Sequence, residues 1–296
     1  MIGQKVRRYG ARTVEWAGKY PFAPRYPRTD RRTIAASDGT RLRLHHVGGP
    51  QHPSVAYLVV HGLFGSSRSP RVHAFAHSLS RYAPVAALDL RGHGASSGVC
   101  GLGVSEPLDV VAAIGHIRAM QPGLPIVVVG TSLGAISSLL AAGEFSGAQK
   151  LAGVFAISGP AWFGDTTRPS AKRTWALLES RRNRLLARVF LSTRMAAPPY
   201  APIVDPRRAV AAIAPGFVVI AHDPQDSYFG PQHAESLYSF ATGPKELWWL
   251  AGSGHGTDVL DAAFAERVHG ATTGFLSDQS TAETPSSTND SPSRNP

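Results

Sequence analysis

The stretch VVVGTSLGAIS, Val127–Ser137, changes character halfway along. Its three valines continue an apolar run of the kind that fills a strand buried on both faces of a sheet. Its last residues lead into a segment with helical spacing. Between them lies Gly130-Thr131-Ser132-Leu133-Gly134. A strand that turns so abruptly into a helix brings backbone groups close together, so the two positions flanking the serine must be small. Such a turn lifts the side chain at 132 above the sheet edge, and the helix aims its first N–H groups and its dipole at the same place. The pattern Gly-x-Ser-x-Gly is common by chance. Its setting between an apolar strand and a helix makes Ser132 a candidate nucleophile instead of a turn residue.

Outward from this turn the chain alternates strand and helix. An Asp38-Gly39 turn joins RTIAAS to RLRLHHV as a hairpin. The runs SVAYLVVHG, PVAALDL, PIVVVG, LAGVFAIS, GFVVIAHD and KELWWLAG read as strands, the first three as buried runs, separated by helical segments such as PRVHAFAHSLSRY, EPLDVVAAIGHIRAM and PQHAESLYSF. A final helix is expected over about Thr257–Val268. That alternation predicts an α/β fold, a mainly parallel sheet sandwiched between helices. One domain is expected over residues 32–277. No strand reads between Gly159 and about Ala209, where tryptophan, arginine and proline accumulate; an insertion of that length, about 161–208, is most often a lid or cap. Residues 1–31 read as a basic extension, loosely helical in spacing. The tail 278–296 has almost no apolar residues and is expected to be disordered.

Composition narrows the function classes. At 43% apolar the chain of 296 residues can build a substantial core. Its single cysteine, Cys100, excludes an internal disulfide and a multi-cysteine metal site. No cofactor or metal is expected. No run of about 18 apolar residues suggests a membrane span, and no early apolar run suggests a signal peptide, so a cytoplasmic location is expected. The formal charge of +10 is mostly arginine, concentrated in Lys5–Arg32 and Lys172–Arg208. No helix-turn-helix, zinc-finger or RNA-binding aromatic signature accompanies it, which favours a solvated basic surface over a specific nucleic-acid partner. Peripheral membrane contact through the N-terminus or the insertion stays open. Oligomeric state is not legible.

A serine hydroxyl needs a base. Among twelve histidines only His255 sits in a glycine-rich loop, LAGSGHGTDVL, following a strand and preceding the last helix. In a parallel sheet that is the carboxyl edge, where Ser132 also lies. His116 reads as a packed or surface histidine, and His45, His46, His73 and His77 have no such loop context. The imidazole needs an orienting acid, and two follow GFVVIA. Asp226, at the loop crest before the Pro231 helix start, is preferred. Asp223, beside Pro224, is the alternative and suits a turn role. Asp205 reads as a helix N-cap. For an oxyanion, the N–H of Leu63, or of Phe64, just after the strand ending at His61-Gly62, could pair with that of Leu133. His61 is expected to hold that loop, not to act as a base.

Four segments in this order, HGLFGSS, DLRGHGASSG, GTSLG and GSGHG, resemble the α/β-hydrolase superfamily over about residues 32–277, nearest its esterase, lipase and serine aminopeptidase-like branches. The resemblance implies an eight-stranded type of sheet with a helical cap, Ser132 as nucleophile, Asp226 as acid, His255 as base, and an oxyanion hole from Leu63 and Leu133. One departure is that the family commonly carries glycine where Asp223 stands. Relatives that open epoxides or displace halide use aspartate where this chain has Ser132. Asp89 and Arg91 of DLRGHGASSG are expected to brace a loop, with His93 packed beside it, and Cys100 to pack as a small residue.

The expected function is hydrolysis of a carboxylic ester with a hydrophobic acyl group; thioester or amide hydrolysis, or a silent hydrolase fold that only binds a ligand, are the alternatives. In the insertion, Trp175, Leu178, Leu185, Leu186, Val189 and Phe190 can share one helical face with arginines mostly opposite. That face is expected to close over Ser132, the competing reading being a lid that also meets lipid.

Overall fold

A computed structural model describes residues 30–143, 150–200 and 204–282. The expected helical extension falls on residues 1–29, outside the described residues; Asp30 and Arg31 already belong to the first strand. Eight strands form one sheet: β1 (Asp30–Ala35), β2 (Arg41–Val47), β3 (Ala56–Val60), β4 (Val85–Asp89), β5 (Ile126–Thr131), β6 (Gly153–Ile157), β7 (Phe217–His222) and β8 (Lys245–Trp249). Their spatial order is β1-β2-β4-β3-β5-β6-β7-β8. The hairpin β1–β2 is antiparallel, β2 is antiparallel to β4, and every later pairing is parallel.

The sequence pattern explains which strands lie inside. Every residue of β3, β4, β5, β6 and β7 is buried, as continuous apolar runs demand when helices cover both faces. Successive residues serve opposite layers: Leu58, Val60 and Val128 join one core, Tyr57, Val59 and Val129 the other. The first layer is closed by α2 (Glu106–Met120), α3 (Leu133–Ala142) and α7 (Pro231–Phe240), the second by α1 (Pro70–Leu79) and α8 (Ala262–Ala282). Helix α3 is buried on all sides, which its run of apolar and small residues permits.

Between β6 and β7 lie α4 (Pro169–Glu179), α5 (Arg181–Phe190) and the short α6 (Pro206–Ala211), with no strand among the described residues, although Cys100 and Met195 form one isolated parallel bridge. Asp205 caps α6 by accepting from the Arg207 N–H at 2.9 Å. Two expectations need correction. The apolar residues of 175–190 do not share one helical face, because the chain turns at Ser180, which ends α4 and caps α5 by accepting the Asn183 N–H. Only Ala187 of α5 is buried; Leu185, Leu186, Val189 and Phe190 face outward. The last helix starts at Ala262 rather than Thr257, since Asp261 accepts the Phe264 N–H at 2.7 Å there, and it passes Asp278 to end at Ala282. Residues 283–296 of the tail lie outside the described residues.

Candidate active site

The turn after β5 holds Ser132 at φ +51°, a strained value for a residue with a Cβ. Two contacts hold it there. The Ser132 N–H donates to the Ile157 carbonyl of β6 at 2.8 Å, and its carbonyl accepts the Ile136 N–H at 3.2 Å. Gly130 and Gly134 must be small: a Cβ on Gly130 would collide with the Gly134 carbonyl, and one on Gly134 with the Val60 carbonyl of β3. Gly62 lies against Ser132, where an added Cβ would come within 3.2 Å of the serine Cβ.

His255 and Asp226 reach the same place from the loops after β8 and β7. The His255 Nε2 stands 3.0 Å from the Ser132 Oγ, and the His255 Nδ1 stands 2.7 Å from the Asp226 Oδ2. A carboxylate can only accept, so Nδ1 carries the proton and Nε2 is left to accept from the serine hydroxyl. Asp226 is fully buried, and its Oδ1 accepts the backbone N–H groups of Tyr228 (2.7 Å) and Phe229 (3.3 Å). Burial alone would raise this carboxyl; the hydrogen bond and charge of His255, with the Tyr228 N–H, outweigh it and hold Asp226 below the usual carboxylate range.

Asp223 goes elsewhere. Its Oδ2 accepts the Gly254 N–H at 2.7 Å and its Oδ1 the Gln225 N–H at 2.9 Å, so it ties the loop that carries His255 to the loop that carries Asp226. Ser158, which no sequence signal singles out, does similar work from the end of β6. Its Oγ accepts the Gly256 N–H at 3.1 Å.

On the opposite side, His61 accepts the Leu90 N–H on Nε2 and donates from Nδ1 to the Gly62 carbonyl at 2.7 Å. Burial lowers its pKa, so it is neutral there. His93 donates to the Arg91 carbonyl and accepts the Phe64 N–H at 3.3 Å; burial drops its pKa to about 3. That bond occupies the Phe64 amide. Among the described residues the N–H groups of Leu63 and Leu133 donate to no acceptor. Asp89 accepts from the N–H and hydroxyl of Ser67 and from the Ala95 N–H, and Arg91 pairs with buried Asp109 at 2.6 Å. Cys100 is buried, which raises its thiol pKa far above the ordinary value.

A cavity of about 280 Å³ opens over Ser132 and His255. Leu63, Leu102, Ile136, Trp162, Phe163, Leu191, Tyr228 and Phe229 line it, together with Ala171, Thr174, Trp175 and Leu178 of α4. Those four recur at i, i+3, i+4 and i+7, the spacing of one helical face. Of these lining residues, Trp162, Tyr228 and Phe229 carry no local signal in the sequence. Tyr228 packs on the His255 ring with centroids 4.3 Å apart. Among the described residues no cluster of three or more potential ligands could hold a metal, and no helix is long and apolar enough to cross a membrane.

Comparison with known proteins adds the family. A family model described as the alpha/beta hydrolase family matches residues 57–268. No curated relative matches in sequence. Solved structures that share the fold include an esterase from Pyrococcus furiosus (18% identity, 85% of this chain and 92% of that one, TM-score 0.61). An esterase from Rhodococcus sp. is similar (18% identity, 83% and 99%, TM-score 0.63), as is one from Exiguobacterium antarcticum (17%, 81% and 98%, TM-score 0.59). With the family match spanning most of the chain and the strand order carrying the same architecture, the protein belongs to the alpha/beta hydrolase family.

Proposed function

We propose that the protein is a serine hydrolase that cleaves carboxylic esters of hydrophobic acyl groups. The observation that carries this is the hydrogen-bonded series Ser132–His255–Asp226 on the floor of an apolar cavity. Ser132 Oγ attacks the ester carbonyl carbon while His255 Nε2 takes the hydroxyl proton. Asp226 steadies the imidazolium that forms. The carbonyl oxygen, now negative, accepts from the unengaged N–H groups of Leu63 and Leu133. As the intermediate collapses, the alcohol leaves with the proton from His255, and an acyl-serine remains. Water then attacks that acyl group with His255 as base, and the carboxylic acid departs.

The cavity supports the substrate class. Its walls are mostly aliphatic and aromatic, with no acidic or basic group among the described residues beyond His255 and Asp258. At about 280 Å³ it falls just below the usual span of ligand pockets, roughly 300–1,000 Å³, which suits a compact acyl group. Helix α4 acts as the cap over it. The esterases named above, too distant to transfer a substrate, carry out the same class of reaction.

The test is a fluorophosphonate label followed by turnover of p-nitrophenyl esters of graded acyl length, with acyl-CoA and aminoacyl anilides alongside. Wild type is expected to form an adduct on Ser132 and to prefer esters. Ser132→Ala and His255→Ala should each cut turnover by at least about 10⁴-fold with an unchanged circular-dichroism melt. A folded wild type that forms no adduct would instead point to a ligand-binding hydrolase fold.

A further inference from the structure

Helix α5 is arranged in a way that neither the fold nor the proposed chemistry requires. At 100° per residue its positions 185, 186, 189 and 190 form one stripe. A helix packed on a protein normally turns such a stripe inward. Here the inward side holds little more than Ala187, while Leu185 is 59% exposed, Val189 64% and Phe190 64%. Leu186 is exposed with them. Four large apolar side chains therefore point into solvent from one short helix. Isolated exposed leucines mean little, but a contiguous patch on a covering helix marks an interaction surface.

The charge around the stripe selects the partner. Arg181 and Arg188 flank its edge, and Arg182 lies within its first turn. All three are exposed, and among the described residues none pairs with an acid. Arg184 is engaged differently, donating to the carbonyls of Leu178 and Glu179. With Val99, Leu185, Arg194 and Met195 these arginines also line an open cleft beside the helix, so Leu185 sits at the edge of the stripe between that cleft and solvent. A second copy of the chain would set these arginines against arginines. An anionic lipid surface satisfies both features, taking the side chains of Leu185, Val189 and Phe190 below its headgroups and the guanidinium groups at phosphate level.

Position links this face to the site. Leu178, three residues before the helix, and Leu191, just after it, both line the cavity over Ser132. We propose that α5 docks the protein on anionic membranes and so holds the cavity close to the lipid phase. The docking is independent of catalysis; only its use in substrate capture rests on the esterase reading.

Vesicle flotation with the full-length chain tests this, using phosphatidylcholine vesicles with and without 30 mol% phosphatidylglycerol (roughly the charge of an anionic leaflet). Wild type and Ser132→Ala should both bind the phosphatidylglycerol vesicles, and 0.5 M salt should release most of that binding (a Debye length of about 4 Å). Leu185→Ser/Val189→Ser/Phe190→Ser should weaken it about tenfold or more. Arg181→Gln/Arg182→Gln/Arg188→Gln should weaken it by about fivefold per charge. Both triple variants should keep wild-type turnover of a soluble short-chain ester, which also shows that they fold. Binding equal to wild type in the apolar variant, or equal binding to neutral vesicles, would overturn the proposal. A wild-type dimer that the apolar variant dissociates would overturn it too, by assigning the face to a second copy. Loss of ester turnover in wild type with vesicle binding intact would strike only the esterase reading.

Discussion

At the scale of single residues, two carboxylates three positions apart divide one task. Asp226 Oδ2 meets His255 Nδ1, whereas Asp223 Oδ2 meets the Gly254 N–H. Both are buried, so exposure does not tell them apart. The difference is what each would lose. Asparagine at 226 cannot act as a pure acceptor: its amide turns donors toward Nδ1 or toward the N–H groups of Tyr228 and Phe229, and the wrong imidazole tautomer is favoured. Asp226→Asn is expected to lower kcat by about 10³–10⁴-fold with little change in KM. Asparagine at 223 still offers one carbonyl oxygen to Gly254 or Gln225, so Asp223→Asn should cost less than about tenfold. Steady-state kinetics on one p-nitrophenyl ester reads both, and the reverse order would reassign the acid. The context that favours Asp226 is legible in the sequence as a loop crest before a helix start. The partner of Asp223 is not, because Gly254 is 31 residues away and only folding brings it there.

Elements explain more of the fold than single residues do, and they also show where periodicity stops informing. Continuous apolar runs identify β3 to β7 because a strand with helices on both faces has no polar side to display. The junction of β5 with α3 is equally legible, since its geometry requires small residues at fixed positions. Gly134→Ala tests that requirement: its Cβ would press on the carbonyls of Val60 and His61, which are backbone and cannot swing aside. A loss of about 2–4 kcal/mol by chemical denaturation is expected, with ester turnover falling as the Ser132 turn shifts. A fully stable, fully active variant would mean that the Val60 and His61 carbonyls can give way. Helix α5 is the opposite case. Periodicity reveals an apolar stripe but not its partner, and the inward expectation failed because Ser180 breaks the segment into two helices with independent orientations. The cavity walls Trp162, Tyr228 and Phe229 escape a sequence reading for a related reason. They belong to loops, where no repeat sets a direction.

Across the whole molecule, the histidines outside the site share one electrostatic consequence. His61, His93, His222 and His233 are buried, and for each burial is the leading cause of a lowered pKa. His73 is lowered to about 4 by burial, then by His77. Several of them hold structure only as neutral rings. His93 must keep a bare Nε2 to accept the Phe64 N–H, and His233 must keep a bare Nδ1 to accept the Ala161 N–H while its Nε2–H donates to Asp165. A folded pKa below the unfolded value of 6.5 means that the unfolded chain binds protons first. The stability these rings contribute is therefore complete above about pH 6.5 and is lost as pH falls toward the folded values, about 4 for His73 and about 3 for His93. At pH 5 a fully buried ring such as His93 costs about 2 kcal/mol, and the less enclosed His73 less, since one pH unit corresponds to about 1.4 kcal/mol for a group protonated only when unfolded. Melting temperature should hold steady from pH 8 to 7 and fall between 6.5 and 5, several degrees per ring. His73→Phe, which removes one such group, should flatten part of that fall. Thermal melts of wild type and this variant across pH 5–8 decide the matter: a wild-type profile that stays level down to pH 5 would show that these rings charge without unfolding the protein.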